Sequence, residues 1–362
     1  MDPTGLAARP ERRADVAVVG AGPAGAAAAI TLARSGHRVV MVDKAVFPRD
    51  KCCGDGLTTG ALRRLEALGL RTEAVASFQR IDDVRIRIPQ GTESTFPLPD
   101  DGTIYAAAAR RVDLDAALVD VARAAGVEVV EDDAVTSVAF ETGGRVVRLG
   151  LASGHQVRAW YAVGADGMWS PLRKALGADQ PGYLGDWHAV RQYFTHTGPE
   201  ARHMWVWFEP DLIPGYVWSF PLPDGGANVG YGIHRQPGKP TGAMKHQWGE
   251  LLARPHIRRV LGPDAVAEAP WKAWPIPTRI GRATLTGGAG RVLFVGDAVR
   301  AGDTLTGEGI AQALETAVSA AGAIHAAGPD HPARAASRYR RQVTLGLAVD
   351  DRLADLGSGV LA

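Results

Sequence analysis

Three glycines near the start of the chain have the spacing of a phosphate-binding turn. Gly20, Gly22 and Gly25 form the pattern G-x-G-x-x-G, and they directly follow Val16 to Val19, an apolar run typical of a buried parallel strand. Glycines allow a tight turn and let the backbone approach a pyrophosphate, and a helix that starts there presents free N–H groups to it. The pattern therefore predicts a dinucleotide site, with FAD or NAD as the ligand.

The residues after the turn agree with that prediction. Ala24 to Arg34 is alanine-rich and predicts a helix, and Arg38 to Val42 predicts a second buried strand. Asp43 ends this strand, about 20 residues after the turn, where a carboxylate can accept hydrogen bonds from ribose hydroxyls. A tight turn without a ligand would not require this order of strand, helix, strand and acid.

The composition favours a small-molecule partner. The chain has 362 residues, 46% hydrophobic and 22% charged, which is ordinary for a globular protein and leaves room for two cores. Lys plus Arg (40) nearly balances Asp plus Glu (39), so we expect no nucleic-acid partner. The adjacent cysteines Cys52 and Cys53 fit a reducing cytoplasm. The charged N-terminal stretch lacks the apolar run of a signal peptide, so we expect a cytoplasmic protein without a transmembrane span, with peripheral membrane contact left open.

The middle of the chain alternates helical and extended patterns. A turn-rich, ligand-shaped loop is expected from Phe47 to Leu57, in which Lys51 and Asp55 are interpreted as solvated surface charges. The next predicted elements are helix Thr59–Leu68, a strand pair within Val84–Pro99, helix Arg111–Ala125, strand Val127–Val130 and an antiparallel meander of Val135–Phe140, Arg145–Leu151 and Gln156–Val163. Strands that alternate with helices indicate a parallel sheet.

Residues from about Pro181 to Pro277 predict a second domain. Most of the tryptophans lie here, prolines are frequent, and strand-like alternation dominates over helical periodicity. Tyr216, Trp218 and Phe220 occupy alternate positions, so in a strand they project from one face. Such a row of rings either fills a sheet core or lines a site, and the pattern alone leaves both open.

The last part of the chain again combines a buried strand, glycines and a helix. Arg291 to Val295 predicts a buried strand ending at Gly296 and Asp297, where a polar side chain points to the ligand crevice of a parallel sheet. The glycine-containing run from Thr306 to Gly309 precedes a predicted helix from Ile310 to Ala321. A charged amphipathic helix is predicted from Arg334 to Leu356.

Together these motifs resemble known flavoenzymes. The para-hydroxybenzoate hydroxylase group shares the glycine turn with Asp43, Arg111 followed by Asp115, Gly164-Ala-Asp166-Gly167, and Gly296-Asp297. Two narrower motifs resemble the geranylgeranyl reductase family within that group: Phe47-Pro-Arg-x-Lys51-x-Cys53-Gly54-x-Gly56, and Tyr216-x-Trp218-x-Phe220-Pro221 followed by Gly230-x-Gly232. Cys52 and Thr304 stand at two positions that are commonly proline in that family.

The resemblance implies an α/β fold in which a Rossmann-like FAD-binding domain carries a second, α+β substrate domain built on an antiparallel sheet. The expected FAD-binding domain is discontinuous and comprises residues 14–83, 104–180 and 278–330. The expected substrate domain comprises residues 84–103 and 181–277, and residues 331–362 form a C-terminal helical tail.

The resemblance also implies the residues of the site. The expected FAD-binding residues are Gly20, Gly22, Ala24, Gly25, Asp43, Lys44, Cys53, Gly54, Asp55, Gly56, Arg111, Asp166, Gly167, Gly296, Asp297, Gly307, Glu308, Gly309 and Ile310. Tyr216, Trp218 and Phe220 would contact the substrate, and Cys53, Tyr216 and Trp218 would form the catalytic wall. The Cys53 thiol could relay a proton, pack on the flavin or be inert. No metal is expected.

The implied function is reduction of carbon-carbon double bonds in an isoprenoid chain, such as a geranylgeranyl or polyprenyl lipid or a menaquinone side chain, by hydride transfer from reduced FAD. One alternative is an FAD-dependent monooxygenase, either an aromatic hydroxylase or halogenase-like, that acts on a small hydrophobic substrate. Another is a flavin-binding protein without turnover. The electron donor would be NAD(P)H or a ferredoxin-like carrier, which would make a transient electron-donor protein a second partner beside the lipid or other hydrophobic substrate.

Overall fold

The computed structural model describes residues 11–235 and 241–347. Within these residues the α-helices are α1 (Pro23–Arg34), α2 (Thr59–Ala67), α3 (Arg111–Ala124), α4 (Pro171–Ala175), α5 (Met244–Ala253), α6 (Pro255–Leu261), α7 (Ile310–Ala327) and α8 (Pro332–Leu345). The predicted helices that correspond to α1, α2 and α3 are confirmed to within a residue or two at each end.

The strands of the same residues fall into separate sheets. They are β1 (Glu11–Arg13), β2 (Val16–Val19), β3 (Val39–Val42), β4 (Gly56–Thr58), β5 (Gln79–Arg80), β6 (Asp83–Arg87), β7 (Glu93–Pro97), β8 (Ala106–Ala108), β9 (Glu128–Val130), β10 (Val135–Glu141), β11 (Val146–Leu151), β12 (Gln156–Ala159), β13 (Tyr161–Gly164), β14 (Trp187–Thr195), β15 (Met204–Trp207), β16 (Tyr216–Leu222), β17 (Gly226–His234), β18 (Val266–Ala267), β19 (Lys272–Ile276), β20 (Thr286–Gly287) and β21 (Val292–Phe294).

A parallel sheet forms the centre of the first domain. In the described residues its strand order is β20-β21-β13-β2-β3-β9, and only the edge pair β20 and β21 is antiparallel. Strands β2, β3 and β13 are buried along their whole length, as expected for strands covered on both faces. Helix α1 packs between this sheet and helices α3 and α7, and the short, fully buried side chains of Ala26 to Ala29 allow close approach on all its sides. The predicted parallel sheet is confirmed.

The predicted meander is only partly right. Strands β10, β11 and β12 do form an antiparallel run, and β1 extends it by pairing with β12. However, the predicted strand Gln156–Val163 is two strands, because the chain leaves this sheet at Trp160 and enters the central sheet as β13. The burial pattern records the change: β12 alternates between buried and partly exposed residues, whereas β13 is buried throughout.

The second domain is a large, mostly antiparallel sheet. Its strand order is β18-β14-β17-β16-β15-β6-β7, and β19 also pairs with β14. The predicted strand pair within Val84–Pro99 is confirmed as β6 and β7, which join this sheet through a parallel pairing of β6 with β15. One face is covered by α5 and α6 around a core that includes Trp205, Trp207 and Tyr231. The opposite face meets the first domain, and the expected α/β fold with a sheet-rich second domain is confirmed.

The C-terminal helices cover the central sheet. Helix α7 runs to Ala327, beyond the predicted end at Ala321, because Gly322 lies within the helix rather than capping it, and the alanine-rich run continues to Gly328. Helix α8 begins at Pro332 rather than Arg334, and the part of the predicted helix beyond Leu347 lies outside the described residues. The buried Tyr339 hydroxyl donates a hydrogen bond to the Phe294 carbonyl at 2.6 Å, which fastens α8 to β21.

Membrane-spanning helices and metal-binding clusters are both absent from the described ranges. None of the helices there combines the length and the apolarity needed to cross a membrane. Side chains of His, Cys, Asp and Glu in the same ranges do not come together in groups of three or more that could hold a metal ion.

We expect Tyr339→Phe to lower the free energy of unfolding by about 1–3 kcal/mol, because the Phe294 carbonyl loses its buried donor. Tyr105→Phe is the matched control, since its hydroxyl bonds Asp101 at an exposed position and its loss should cost less than about 0.5 kcal/mol. Urea unfolding of both variants measures the two costs. Equal costs would show that the hydroxyl of Tyr339 does not fasten the helix.

Candidate functional site

The glycine turn brings the start of α1 against the ends of neighbouring strands. A Cβ on Gly25 would lie 1.7 Å from the Gly20 carbonyl oxygen, and one on Gly20 would lie 2.3 Å from the Ala165 carbonyl oxygen. Gly20 also has a φ of +97°, which favours glycine. These two glycines are therefore required by backbone packing.

Gly22 differs from its two neighbours. Apart from its chain neighbours, the described residues place only the guanidinium ends of Arg49, at 3.5 Å, and Arg111, at 3.8 Å, within 4 Å of its Cβ position. It is also the residue directly before α1, so its surroundings include the free N–H groups of the first helical turn. The free space beside Gly22, the N-terminus of α1 and the two guanidinium groups together form an anion-binding cradle.

The two cations of this cradle share one acid. The Arg111 guanidinium donates to both Asp115 oxygens at 2.7 Å, and Arg49 donates to the same carboxylate at 2.7 Å. Burial is the largest single effect on Arg111 and opposes its charge, but the Coulomb attraction and hydrogen bonds of Asp115, with smaller contributions from Cys53, together outweigh burial and raise the pKa of Arg111. One carboxylate against two guanidiniums leaves surplus positive charge, which suits a diphosphate. Arg111 was predicted; Arg49 was missed, although it lies in the quoted Phe47-Pro-Arg motif.

The acid after β3 is held at the rim of this cradle. The Asp43 carboxylate accepts hydrogen bonds from the backbone N–H groups of Ala21 at 2.7 Å and Ala45 at 2.9 Å. It is partly exposed, and the next residue, Lys44, is exposed. Asp43 thus lies beside the turn where a ribose would extend from a bound diphosphate, whereas contact of Lys44 with a cofactor stays a prediction.

The second aspartate motif bonds within its own segment. The Asp166 carboxylate accepts hydrogen bonds from the Ser170 hydroxyl at 2.6 Å and the Leu172 N–H at 2.9 Å, at the start of α4. Burial raises its pKa. Gly167, with a φ of +80°, turns the chain there, and Arg173 donates to the Ala298 carbonyl. This segment therefore supports the strand end that carries Asp297, and direct cofactor contact of Asp166 stays a prediction.

The segment after β21 completes the first half of the site. A Cβ on Gly296 would lie 2.9 Å from the Ala24 Cβ, so this glycine packs on the first turn of α1. Asp297 follows it, and its Oδ1 lies 4.0 Å from the Cβ position of Gly309, the residue before α7. Asp297 therefore lies between the N-termini of two helices.

The remaining predicted residues of this segment surround the start of α7. The Glu308 carboxylate accepts the Ala311 N–H at 3.1 Å and the Thr58 hydroxyl at 3.2 Å. Gly307 turns the chain with a φ of +71°, and Ile310 is the first residue of the helix. The structure thus brings the glycine turn, Asp297 and the start of α7 together.

Residues Cys53 to Gly56, called here the 53–56 loop, pack against the second domain. A Cβ on Gly54 would lie 3.5 Å from the Trp218 ring, and one on Gly56 would lie 2.9 Å from the Phe220 ring. Cys53 is partly buried, and its sulfur accepts the Asp55 N–H at 3.3 Å. Both cysteines are free thiols; burial raises the pKa of Cys53 and raises that of Cys52 to about 11. Both are therefore protonated at neutral pH.

Tyr216, Trp218 and Phe220 do form one continuous surface, which we call the aromatic wall. Their ring centroids are 6.0 Å and 6.1 Å apart along β16. Trp218 lies directly opposite Gly230 on β17, and a Cβ there would be 2.3 Å from the Trp218 ring. The spacing of the Tyr-x-Trp-x-Phe and Gly-x-Gly motifs therefore has one physical cause. The large rings on β16 lie over β17 at positions where glycine leaves no side chain in the way.

Tyr216 joins the aromatic wall to the segment before α7. Its hydroxyl donates a hydrogen bond to the Thr306 carbonyl. Burial, together with the charges of Asp303 and Glu308, raises its pKa to about 12, so the phenol is neutral at physiological pH. The 53–56 loop, the aromatic wall and the start of α7 consequently enclose one region at the end of the central sheet.

The interpretation of Lys51 and Asp55 as solvated charges was wrong. The Lys51 ammonium lies 4.3 Å from the centre of the Trp274 ring, and burial lowers its pKa. Asp55 is fully buried and accepts hydrogen bonds from Tyr193 and Asn228, two residues that the sequence analysis did not select. The sequence offered one indication of this for Asn228. It precedes the Gly230-x-Gly232 motif by two residues, so in a strand it lies on the same face as these glycines.

The fold and the site together define the class of the protein, an FAD-dependent oxidoreductase. The diphosphate cradle lies on a parallel sheet, and the aromatic face of an antiparallel sheet covers it. The chain belongs to the family described as FAD binding domain, whose model matches residues 13–328. FAD is thus the cofactor that fits the Gly22 cradle and its two arginines, and the predicted cofactor is confirmed.

Named relatives place the chain more narrowly. It is 33% identical to the menaquinone reductase of Mycolicibacterium smegmatis over 377 aligned positions, which cover 94% of this chain and 84% of the relative. It is also 33% identical to digeranylgeranylglycerophospholipid reductase 2 of Methanopyrus kandleri, covering 83% of this chain and 74% of that protein. The crystal structure of a geranylgeranyl bacteriochlorophyll reductase-like protein from Thermoplasma acidophilum superposes with a TM-score of 0.81 at 21% identity, covering 95% of this chain and 88% of that one. The resemblance found in the sequence is confirmed.

We expect Gly22→Ala and Gly25→Ala to behave oppositely. The first adds a methyl group to open space in the cradle and should cost the fold less than about 1 kcal/mol, while weakening FAD binding at least tenfold, about 1.4 kcal/mol. The second places a methyl group 1.7 Å from a backbone oxygen, so it should destabilise the apo fold itself.

Flavin fluorescence titration and thermal unfolding of the apoproteins separate the two effects. Unchanged FAD affinity in a well-folded Gly22→Ala variant would contradict the assignment of the cradle.

Proposed function

We propose that this protein reduces carbon-carbon double bonds in the isoprenoid chain of a lipid or quinone, with FAD as its cofactor. One observation carries the proposal: the aromatic wall packs directly on the 53–56 loop, beside the cradle that fits FAD. Hydrophobic rings there provide an apolar surface for a hydrocarbon chain next to the cofactor.

The relatives support the same substrate class. The two named relatives are reductases of menaquinone and of digeranylgeranylglycerophospholipid. These molecules differ in their polar parts and share an isoprenoid chain, so the chain is the part that a common site would recognise. We therefore assign the aromatic wall to the isoprenoid chain rather than to a head group.

The chemistry requires one proton from the protein but no polar group to stabilise a developing oxyanion. Reduced FAD supplies a hydride, and an isolated alkene has no carbonyl oxygen to take up charge. The protein must therefore orient the alkene, exclude water and tolerate positive character at carbon, which the ring faces of Tyr216 and Trp218 can stabilise. A proton is also needed, and the protonated thiol of Cys53 lies on the loop that faces this wall.

The supply of electrons is a further proposal. A second glycine fingerprint for a separate NAD(P) domain is absent from the sequence. We therefore propose that NAD(P)H docks transiently or that a ferredoxin-like carrier delivers the electrons. Stopped-flow reduction by each candidate donor under anaerobic conditions distinguishes the two.

A lipid substrate also needs a route from the membrane. Tyr216 bonds the Thr306 carbonyl, so the exposed Leu305, which retains 54% of its accessible surface, lies at this edge of the site. Ile213, three residues before Tyr216, is 45% exposed. We propose that this apolar edge makes peripheral contact with the membrane surface that holds the substrate.

The decisive experiment is anaerobic turnover. The FAD-loaded protein is photoreduced without oxygen and mixed with menaquinone or an unsaturated isoprenoid glycerophospholipid in vesicles, and the products are analysed by mass spectrometry. We expect flavin reoxidation together with a product that has gained two hydrogen atoms per reduced bond. The proposal would be contradicted if the flavin stayed reduced with every lipid and the protein instead hydroxylated or halogenated an aromatic compound in the presence of oxygen.

Tyr216→Phe should lower the rate of lipid-dependent flavin reoxidation by about tenfold, because the aromatic wall loses its bond to Thr306 and shifts relative to the cofactor. Tyr231→Phe is the matched control: it loses a buried hydroxyl that bonds the Met244 carbonyl in the opposite core, at a similar stability cost of about 1 kcal/mol. The control should keep its rate. Equal rates for the two variants would show that the Tyr216 hydroxyl does not contribute to the site.

A further inference from the structure

A fully buried carboxylate lies where the two domains meet. Asp55 has no solvent-accessible surface, and its Oδ2 accepts hydrogen bonds from the Tyr193 hydroxyl at 2.6 Å and the Asn228 amide at 2.8 Å. Both donors belong to the second domain, whereas Asp55 is part of the 53–56 loop. Burying a carboxylate is costly, and the two donors that offset this cost at Oδ2 both come from the other domain, so this contact between domains is specific.

Asn228 connects Asp55 to the aromatic wall. Its amide nitrogen also donates to the Cys53 carbonyl at 2.9 Å, and its Oδ1 accepts the Trp218 indole N–H at 3.2 Å. One side-chain amide thus bonds both ends of the Cys53 to Asp55 segment and the central ring of the wall. Asn228 is fully buried, so none of these bonds competes with water.

The sheet register makes this arrangement rigid. Tyr193 on β14 lies opposite Asn228 on β17, which lies opposite Phe220 on β16. The three residues form a row across the sheet, and the next row contains Gly230 and Trp218. A displacement of the 53–56 loop would break its hydrogen bonds to Tyr193 and Asn228 in the first row and its packing against Trp218 in the second.

The backbone of Asp55 indicates that its side chain is required. Its φ is +66°, in the left-handed region where glycine is the usual residue. Gly54 and Gly56 flank it in a loop already pressed against aromatic rings. An aspartate in this conformation is strained relative to glycine, and the hydrogen bonds of its carboxylate offset that strain.

We propose that Asp55 is a positioning residue: through Tyr193 and Asn228 it fixes the 53–56 loop against Trp218 and so sets the gap between the cofactor side and the substrate side of the site. The proposal rests on the proposed function for its catalytic consequence. Its structural consequence is independent of lipid turnover.

The surroundings of Asp55 make this attachment depend on pH. Arg191 and Arg110 lie 4.0 Å and 4.4 Å from the centre of the Tyr193 ring, and Arg111 approaches from α3. Burial outweighs the hydrogen bonds and these cations, and it raises the pKa of Asp55 to about 6.

The other groups around Asp55 carry little charge. β16 contributes the neutral rings of Trp218 and Phe220, β17 the neutral Asn228, and the segment after β8 the Ala109 N–H, which bonds the Asp55 carbonyl. Within the loop itself, the Cys53 thiol is protonated. Oδ1 of Asp55 is buried, without a hydrogen-bond partner in the described part of the chain, and is free to carry the proton.

The sign of the effect follows from the direction of the shift. Because the folded-state pKa is raised, the folded protein binds this proton more tightly than the unfolded chain does. The stability contributed by Asp55 is therefore complete below about pH 4 and is lost as the pH rises through about 6.

The test compares Asp55→Asn, Asp55→Ala and a matched control, Asp133→Asn. Asp133 is also a buried aspartate, but its carboxylate bonds Ser153 and contacts neither the 53–56 loop nor the residues that bond Asp55. FAD-loaded proteins are titrated between about pH 4.5 and 8.5 while tryptophan fluorescence and flavin absorption are recorded. We expect a spectral transition near pH 6 in the natural protein and in the control, and none in Asp55→Asn. A transition that persists unchanged in Asp55→Asn, or that is absent from the natural protein, would overturn the proposal.

The catalytic consequence is measured separately. Asp55→Ala should slow lipid-dependent reoxidation by about tenfold or more at unchanged FAD content, and Asp55→Asn should restore most of the rate, since asparagine keeps one acceptor oxygen and tolerates a positive φ. Asn228→Ala should be as slow, and combining it with Asp55→Ala should add little, because both break one network. A full rate in Asp55→Ala contradicts the proposal; lipid reduction absent from the natural protein would instead refute the proposed function and leave the pH titration decisive.

Discussion

Close backbone contact at the start of α1 is the constraint on which the site depends. Gly25 lies against the Gly20 carbonyl, Gly20 against Ala165, and Gly296 against Ala24, with no room for an added carbon atom at any of the three glycines. Through these contacts the helix N-terminus reaches the ends of three parallel strands at once. Because each contact is between backbone or methyl groups, the geometry varies little, and the anion cradle at Gly22 is preorganised.

Glycine serves a different purpose in the second half of the site. Gly54, Gly56 and Gly230 leave space for the rings of Trp218 and Phe220 rather than for a phosphate. The rings are thereby held between a loop of one domain and a strand of the other. Because the rings are held on both sides, the aromatic wall keeps its shape when no ligand is bound. An apolar site that is preorganised in this way loses less free energy on binding its ligand.

The sequence predicted best where pattern and local physics agree. The strand, glycine turn and helix from Val16 to Arg34 combine a motif with strong periodicity, and the alternation of Tyr216, Trp218 and Phe220 shows directly that they share a face. Asp55 was misread because its burial depends on Tyr193, which lies 138 residues further along the chain.

The boundary errors have a similar origin. The break at Trp160 could not be read locally, because it marks where the chain changes sheet partners. The length of α7 was underestimated because Gly322, directly after the predicted end, is a residue type typical of helix C-caps, yet it lies inside the helix, which ends only before Gly328.

The position of β21 has a consequence for biosynthesis. This strand pairs with β13, yet in the chain strands β14 to β19 of the antiparallel sheet are synthesised between them. During translation the edge of β13 remains unpaired until Val292 to Phe294 leave the ribosome, and α7 and α8 can cover the sheet only afterwards. The nascent chain therefore exposes an apolar strand edge while β14 to β19 are being synthesised, and an unpaired edge of this kind is prone to pair with other chains.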